Sequence, residues 1–380
     1  MNEKLLVTGA FENITTPAYV VDEKKLIANL EILREVAEQT GCRILLAQKA
    51  FSMFALYPLM RSYLSGTAAS GLYEAKLGRE EFGGEVHVFC PAYKESEFDE
   101  IAETADHIIF NSFAQLCRFR DRCRGKSIGI RINPQCSTQD EPIYDPCAPF
   151  SRLGVTKENF LDDEFSGVDG IHFHTLCEQN SDALEKTIYA VEESFGEYLH
   201  KCKWVNFGGG HHITRPDYDR ELLKRLITHI SEKYDVQVYL EPGEAAALNA
   251  GYLVTQVEDI VHNGMDIAIL DASAACHMPD VLEMPYRPPL YMSGKPCEKA
   301  HTYRLSSRTC LAGDIIGDYS FDEPLRVGDR LCFEDMAIYS MVKNNTFNGM
   351  PLPDIGVLHI DGTYRLVKSF SYSDFKERLS

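Results

Sequence analysis

From Ala18 to Pro242 the chain alternates short apolar runs with amphipathic segments, and this rhythm constrains its fold more than any other feature. Such alternation is the pattern of strand and helix units laid around a parallel sheet. The runs Arg43–Ala47, Val86–Phe89, His107–Phe110, Ile128–Ile132, Gly170–Phe173, Trp204–Phe207 and Val236–Leu240 read as strands, with helices such as Glu23–Glu38 and Tyr218–Lys233 between them. Seven or eight units of this kind favour an α/β fold built on a (β/α)8 TIM-like barrel.

After Pro242 the character changes. Gly251–Val261, Met265–Leu270, Asp329–Phe333 and Gly356–His359 read as strands with little helix between them, which predicts a second, mainly β domain. Leu5–Gly9 is expected to add a strand to it, since the barrel pattern begins only after Thr16-Pro17. The expected division is a barrel over 18–245 and a sheet domain made of 1–17 with 246–380. A chain of 380 residues is long enough for this pair.

The formal net charge of −19 argues against a nucleic-acid partner, because phosphate backbones are bound by clustered Lys and Arg. An acidic surface suits a cationic substrate such as a polyamine, or serves solubility alone. No apolar run approaches the roughly 20 residues that span a bilayer, so a cytoplasmic protein with no membrane partner is expected. The 12 cysteines are scattered with no C-x-x-C pair, which reads as reduced thiols rather than a disulfide framework.

Catalytic groups of a parallel barrel gather at the carboxyl ends of its strands, so the polar residues that end the apolar runs are the candidates. They are Lys49 after ILLAQ, His174 and Cys177 after GIHF, Gly208-Gly209-Gly210 after WVNF, and Glu241 after VQVYL. A desolvated amine at Lys49 could form a Schiff base, although a lysine at a strand end is also a common snorkelling residue. Three consecutive glycines let backbone N–H groups close on a phosphate; the alternative is a plain tight turn. Glu241, followed by Pro242-Gly243, could bond a protonated pyridine nitrogen, or merely precede a turn. His174 could lie flat on an aromatic cofactor, or be an ordinary satisfied side chain. The pairs Cys276-His277 and His211-His212 lack the ligand spacing of structural zinc sites, so no metal is expected. Farther on, Arg308-Thr309-Cys310-Leu311-Ala312-Gly313-Asp314 places a thiol and a carboxylate in a glycine-containing loop. A thiol there can act as an acid, though a free cysteine is usually a small buried hydrophobe.

Taken in order, Lys49, His174, the glycines 208–210, Glu241-Pro242-Gly243, Cys310 with Gly313-Asp314, and Tyr339 resemble the alanine-racemase-fold (fold type III) pyridoxal-phosphate decarboxylases. The segment Cys276–Pro288 resembles the branch that acts on carboxynorspermidine and carboxyspermidine in polyamine biosynthesis. The resemblance implies pyridoxal 5'-phosphate carried on Lys49, with its ring on His174, its pyridine nitrogen on Glu241, and its phosphate among Cys177, Gly208, Gly209, Gly210 and Tyr339. It further implies that Cys310 reprotonates the product carbon, and that Cys310 and Asp314 reach a partner subunit's site in a head-to-tail homodimer. His277, Asp280 and Glu283 are the groups expected to meet the substrate's ammonium tail, Asp280 first, together with Glu241 and Asp314; a loop-shaping segment is the plainer alternative.

Two departures stand out. The better-known members continue Glu-Pro-Gly with an arginine on the phosphate side, whereas this chain has Glu244, and Gly66–Ser70 offers no aspartate. The competing expectations are a diaminopimelate decarboxylase, a racemase of the same fold, which needs a base, usually a tyrosine, on the second face of the cofactor, and a non-catalytic cofactor carrier, usually a barrel without a β domain.

Overall fold

The computed structural model describes residues 5–139 and 141–380. The chain divides into two compact units, Ala28–Ala246 forming one, and the segment before Ala28 forming the other with Ala247–Ser380. In chain order the strands are β1 (Ala18–Asp22), β2 (Arg43–Ala47), β3 (Gly66–Ala69), β4 (Glu85–Phe89), β5 (His107–Phe110), β6 (Ser127–Arg131), β7 (Gly170–His172), β8 (Trp204–Asn206) and β9 (Gln237–Leu240). They continue as β10 (Gly251–His262), β11 (Asp266–Leu270), β12 (His301–Ser307), β13 (Ile315–Phe321), β14 (Arg330–Glu334), β15 (Asp354–Leu358) and β16 (Tyr364–Lys368).

In the first unit β2 to β9 pair in sequence, all parallel, and β9 closes on β2 to complete the eight-stranded barrel. β3 is the strand that the apolar pattern does not reveal: its Gly-Thr-Ala-Ala carries too little side chain to stand out. The barrel interior is filled by Leu45, Ile109, Trp204 and Tyr239. Trp204 occupies space that only glycine leaves, because a Cβ on Gly170 would lie 2.1 Å, and one on Gly129 2.3 Å, from its indole ring. Outside, helices α1 (Ser181–Leu199) and α2 (Arg220–Tyr234) bury stripes at three- and four-residue spacing, Leu184, Ile188, Val191 and Phe195 on one and Leu223, Ile227, Ile230 and Tyr234 on the other. Asp219 starts α2 by accepting the Leu222 N–H at 2.9 Å.

The second unit is a mixed sheet in the order β13-β12-β11-β10-β1-β15-β16, with β14 also on β10. β10 serves two neighbourhoods: its first half pairs with β1 and β14, and from Val257 onward it pairs with β11, with a register irregularity between Val257 and Asp259. β1 lies antiparallel to β10 and parallel to β15. Two sequence expectations are corrected here. The residues from Ala18 to Asp22, read as part of the barrel, are a strand of the sheet. Leu5–Gly9 forms no strand; it leads into a helical turn at Gly9–Phe11, and Leu6, Phe11 and Ile14 pack against Val20, Tyr252 and Val254. Its apolar residues supply core packing, which a strand-length run does not distinguish from pairing. Among the described residues no helix is long and apolar enough to cross a membrane.

Candidate active site

The carboxyl ends of β2, β6, β7, β8 and β9 bring together the polar residues that follow them. Lys49 stands in the turn after β2, beside Gln48, whose buried amide donates to the Glu74 carbonyl at 2.7 Å and accepts from the Tyr57 hydroxyl at 3.1 Å. Lys49 itself is reached by solvent, yet protein surrounds its amine closely enough to lower the ammonium's pKa. Desolvation is the main cause; Arg131 lowers it further, while Glu241 and Cys177 oppose the shift. The turn is held from above by Pro242-Gly243: the Ala47 N–H donates to the Pro242 carbonyl at 3.3 Å, and a Cβ on Gly243 would lie 2.6 Å from that of Ala50.

Glu241 follows β9 directly, with 8% of its surface exposed. Its Oε1 accepts from Asn206 Nδ2 at 2.7 Å, and its Oε2 lies 3.3 Å from His172 Nε2. Burial by itself raises the carboxyl pKa, but the charge interaction and hydrogen bond with His172, the charge of His87 and the hydrogen bond from Asn206 more than offset this and hold it down at about 2. Burial pushes the His172 pKa down, while the charge and hydrogen bond of Glu241 oppose the shift. Asn206 does a second job, since its Oδ1 accepts the Gly208 N–H at 2.8 Å, and the Glu241 N–H donates to the Gly208 carbonyl at 2.8 Å. The carboxylate and the glycine turn are thus one hydrogen-bonded piece.

The turn itself admits no side chain. A Cβ on Gly209 would lie 2.5 Å from the Glu241 carbonyl oxygen, and one on Gly210, whose φ is +81°, 2.0 Å from that of Leu176. The Gly209 N–H donates to His174 Nδ1 at 3.0 Å, which fixes that nitrogen as an acceptor and the ring as neutral. Burial, and then Lys49 and Arg131, push the His174 pKa well below its ordinary value. Arg131 is 5% exposed, with Nη2 donating to the His174 carbonyl at 3.1 Å and its guanidinium over the Phe89 ring at 4.6 Å. Cys177 is half-buried nearby, its thiol pushed up to about 11 by burial and by Glu178 and Glu244.

These residues fit pyridoxal phosphate: a desolvated amine, a neutral imidazole, a cradle of glycines and a buried carboxylate kept ionised by its neighbours. Arg131, Asn206 and His172 escape the sequence reading. The available signal was their position as the last residue of SIGIR, WVN and GIH, polar residues closing apolar strands.

In the second unit Cys310 is exposed, its N–H donating to Asn348 Oδ1 at 2.6 Å. Asp314 is 1% exposed. It accepts from the hydroxyls of Ser273 at 2.7 Å and of Ser307 and Thr309 at 2.5 Å, and from the Ala275 N–H at 3.1 Å. These bonds depress its pKa against the opposing effect of burial and commit the carboxylate to shaping the Cys310 loop. Tyr339 is half-buried at a φ of 49°. His277 does not meet the expectation of a substrate contact. It is fully buried, its Nδ1 takes the Ser273 N–H at 3.2 Å and its Nε2 lies 3.0 Å from the Pro351 carbonyl oxygen, so both ring nitrogens are engaged. Asp280 and Glu283, by contrast, both hold the ammonium of Lys343, Glu283 at 2.5 Å.

The family model described as "Pyridoxal-dependent decarboxylase, C-terminal sheet domain" matches residues 18–337. The carboxynorspermidine/carboxyspermidine decarboxylase of Campylobacter jejuni is 42% identical over 379 residues, covering 97% of this chain and 99% of that protein. The carboxyaminopropylagmatine decarboxylase of a Synechocystis strain is 41% identical, covering 99% and 98%. The crystal structure of the Campylobacter jejuni carboxynorspermidine decarboxylase complexed with norspermidine superposes with a TM-score of 0.91 at 41% identity, over 96% of this chain and all of that one. A diaminopimelate decarboxylase from Helicobacter pylori shares the fold at a TM-score of 0.81 and 17% identity, over 97% of this chain and 98% of that one. With a barrel mouth fitted to the cofactor and a full-length match to enzymes that use it, this chain belongs to the pyridoxal-dependent decarboxylases of the barrel-plus-sheet fold, and its cofactor is pyridoxal 5'-phosphate.

Proposed function

We propose that this enzyme decarboxylates carboxynorspermidine and/or carboxyspermidine in polyamine biosynthesis, as a cytoplasmic homodimer. The observation that carries the substrate reading is the pair Asp280 and Glu283, whose carboxylates already converge on one primary ammonium, that of Lys343. The near-full-length likeness to two enzymes of that name, at 42% and 39% identity, supports it. The likeness to a carboxyaminopropylagmatine decarboxylase at 41% favours a second reading, in which the tail ends in a guanidinium. Either tail is cationic, which is what two carboxylates recognise.

Pyridoxal phosphate supplies an electron sink for the charge left on the α-carbon as carbon dioxide departs. Lys49 would carry the cofactor, its lowered pKa keeping a share of the amine neutral. Glu241, held anionic by Asn206 and His172, would hold a proton on the pyridine nitrogen. His174 would lie against the ring, with Gly208, Gly209, Gly210, Cys177 and Tyr339 around the phosphate. Cys310 Sγ would deliver a proton to the product carbon, from the partner subunit in a head-to-tail dimer, with Asp314 setting the shape of its loop. Release of carbon dioxide from carboxynorspermidine, carboxyspermidine, carboxyaminopropylagmatine, diaminopimelate and ornithine, compared side by side, tests the reading. Preference for either carboxylated triamine is expected, whereas preference for diaminopimelate overturns the substrate assignment and keeps the reaction.

A further inference from the structure

Beside the glycine turn, and outside the groups assigned above, three loops at the carboxyl end of the barrel bring Glu178, His212 and Glu244 together, with one ligating atom of each within 4.8 Å of the others. Glu178 follows β7, His212 follows the glycines after β8, and Glu244 follows β9. Main-chain bonds knit the first two loops: Gln179 N–H to the Gly210 carbonyl at 3.1 Å and His212 N–H to the Gln179 carbonyl at 3.3 Å. Thr214 ties the third, its hydroxyl donating to the Ala245 carbonyl at 2.7 Å.

His212 is 6% exposed, and neither ring nitrogen has a hydrogen-bond partner. A buried imidazole without a donor or acceptor bond is costly unless something else engages it. Its Nε2 lies 3.4 Å from Glu244 Oε2, beyond a normal hydrogen bond. Two ligands each about 2.0–2.1 Å from a tetrahedrally coordinated ion are about 3.3 Å apart, so the spacing is that of two atoms sharing a cation. Glu178 holds a left-handed φ of 53°, unusual for a side-chain-bearing residue, as its carboxylate completes the group. Two carboxylates and one imidazole balance a double positive charge and suit ions of borderline hardness.

We propose that Glu178, His212 and Glu244 bind one divalent cation of the Zn2+ or Mn2+ class, pinning the three loops that form the glycine cradle. Three protein ligands leave at least one coordination position for water or another oxygen. The ion would neutralise two carboxylates that otherwise stand close to an anion-binding turn, and it assigns a role to the glutamate that follows Glu241-Pro242-Gly243.

The test uses the intact holoenzyme, stripped of metals with a chelator and dialysed. Mn2+ is titrated by electron paramagnetic resonance and Zn2+ by equilibrium dialysis with elemental analysis, both independent of turnover. One ion per chain is expected, with binding weakened at least about tenfold in Glu178→Gln and in Glu244→Gln. Glu178 is exposed, so its variant keeps the fold, as circular dichroism would verify. No saturable one-to-one binding of either ion, or binding unchanged in both variants, overturns the proposal.

Discussion

Lys343→Met separates an acid pair that receives substrate from one that only shapes a loop. In the structure the Lys343 ammonium sits between Asp280 and Glu283, so a substrate ammonium bound by the same acids must first displace it. Both acids are partly open to solvent, Asp280 at 24% and Glu283 at 57%, so each ion pair is worth only about 0.3–1 kcal/mol. Removing the internal competitor therefore releases about 0.6–2 kcal/mol for the substrate, a fall in KM of about 3- to 30-fold at unchanged kcat. The assay is steady-state decarboxylation of carboxynorspermidine at low and moderate salt, where the gain shrinks as ionic strength rises. Asp280→Asn introduced together with Lys343→Met should erase most of the gain, because the two residues share one interaction. A KM that is unchanged, or that rises, refutes the reasoning: Lys343 would then be holding the acids for the loop's sake.

Lys49→Ala should abolish the visible absorbance of the lysine-bound cofactor together with activity; full activity with unchanged absorbance would sink the assignment. Asn206→Leu removes a hydrogen bond to a buried carboxylate and leaves the Gly208 N–H unsatisfied, together costing about 2.5–6 kcal/mol of stability in denaturant unfolding and weakening cofactor retention; a loss below about 1 kcal/mol would mean the pair of bonds is dispensable. In the cofactor-free protein Lys49 should be acylated ahead of the other lysines at pH below the ordinary lysine value, since its folded pKa is depressed from 10.5. Between that depressed value and 10.5 the unfolded amine binds more protons than the folded one, so this group's contribution makes stability rise with pH across that window. Glu241→Gln, which removes a charge that supports the ammonium, should move the Lys49 labelling profile to still lower pH, and an unmoved profile would break the electrostatic link between them.

What could be read in the sequence follows from the kind of signal each feature carries. β2 was legible at its observed limits because Ile44, Leu45, Leu46 and Ala47 form a continuous buried run, the mark of a parallel strand covered on both faces. β3 was not, since glycine, threonine and two alanines have no apolar excess, and only closure between β2 and β4 makes them a strand. β1 read as barrel because its composition suits either sheet, and pairing with β10 and β15 is information held some hundreds of residues away. At the site, Lys49, the glycines and Glu241 announce themselves by type and position. His277 looked like a ligand by type alone, and its two hydrogen-bond partners, Ser273 and Pro351, show a structural histidine.

The electrostatics explain why the missed residues matter as much as the ones that could be named. Lys49 and Arg131 each lower the other groups of the cluster: Arg131 is itself pushed down to about 10 by burial, and both depress His174. Left alone, two desolvated cations so close together would drive the lysine neutral and the arginine toward solvent. Glu241 is the charge that opposes this, raising both, and it can do so only while ionised in a buried position. Its ionisation depends in turn on His172, through charge and hydrogen bond, on the charge of His87, and on the Asn206 amide. Asn206 is the neutral donor of the set, and by adding no charge it leaves the field of Glu241 free to act on Lys49, on Arg131 and on whatever proton the cofactor's ring nitrogen brings.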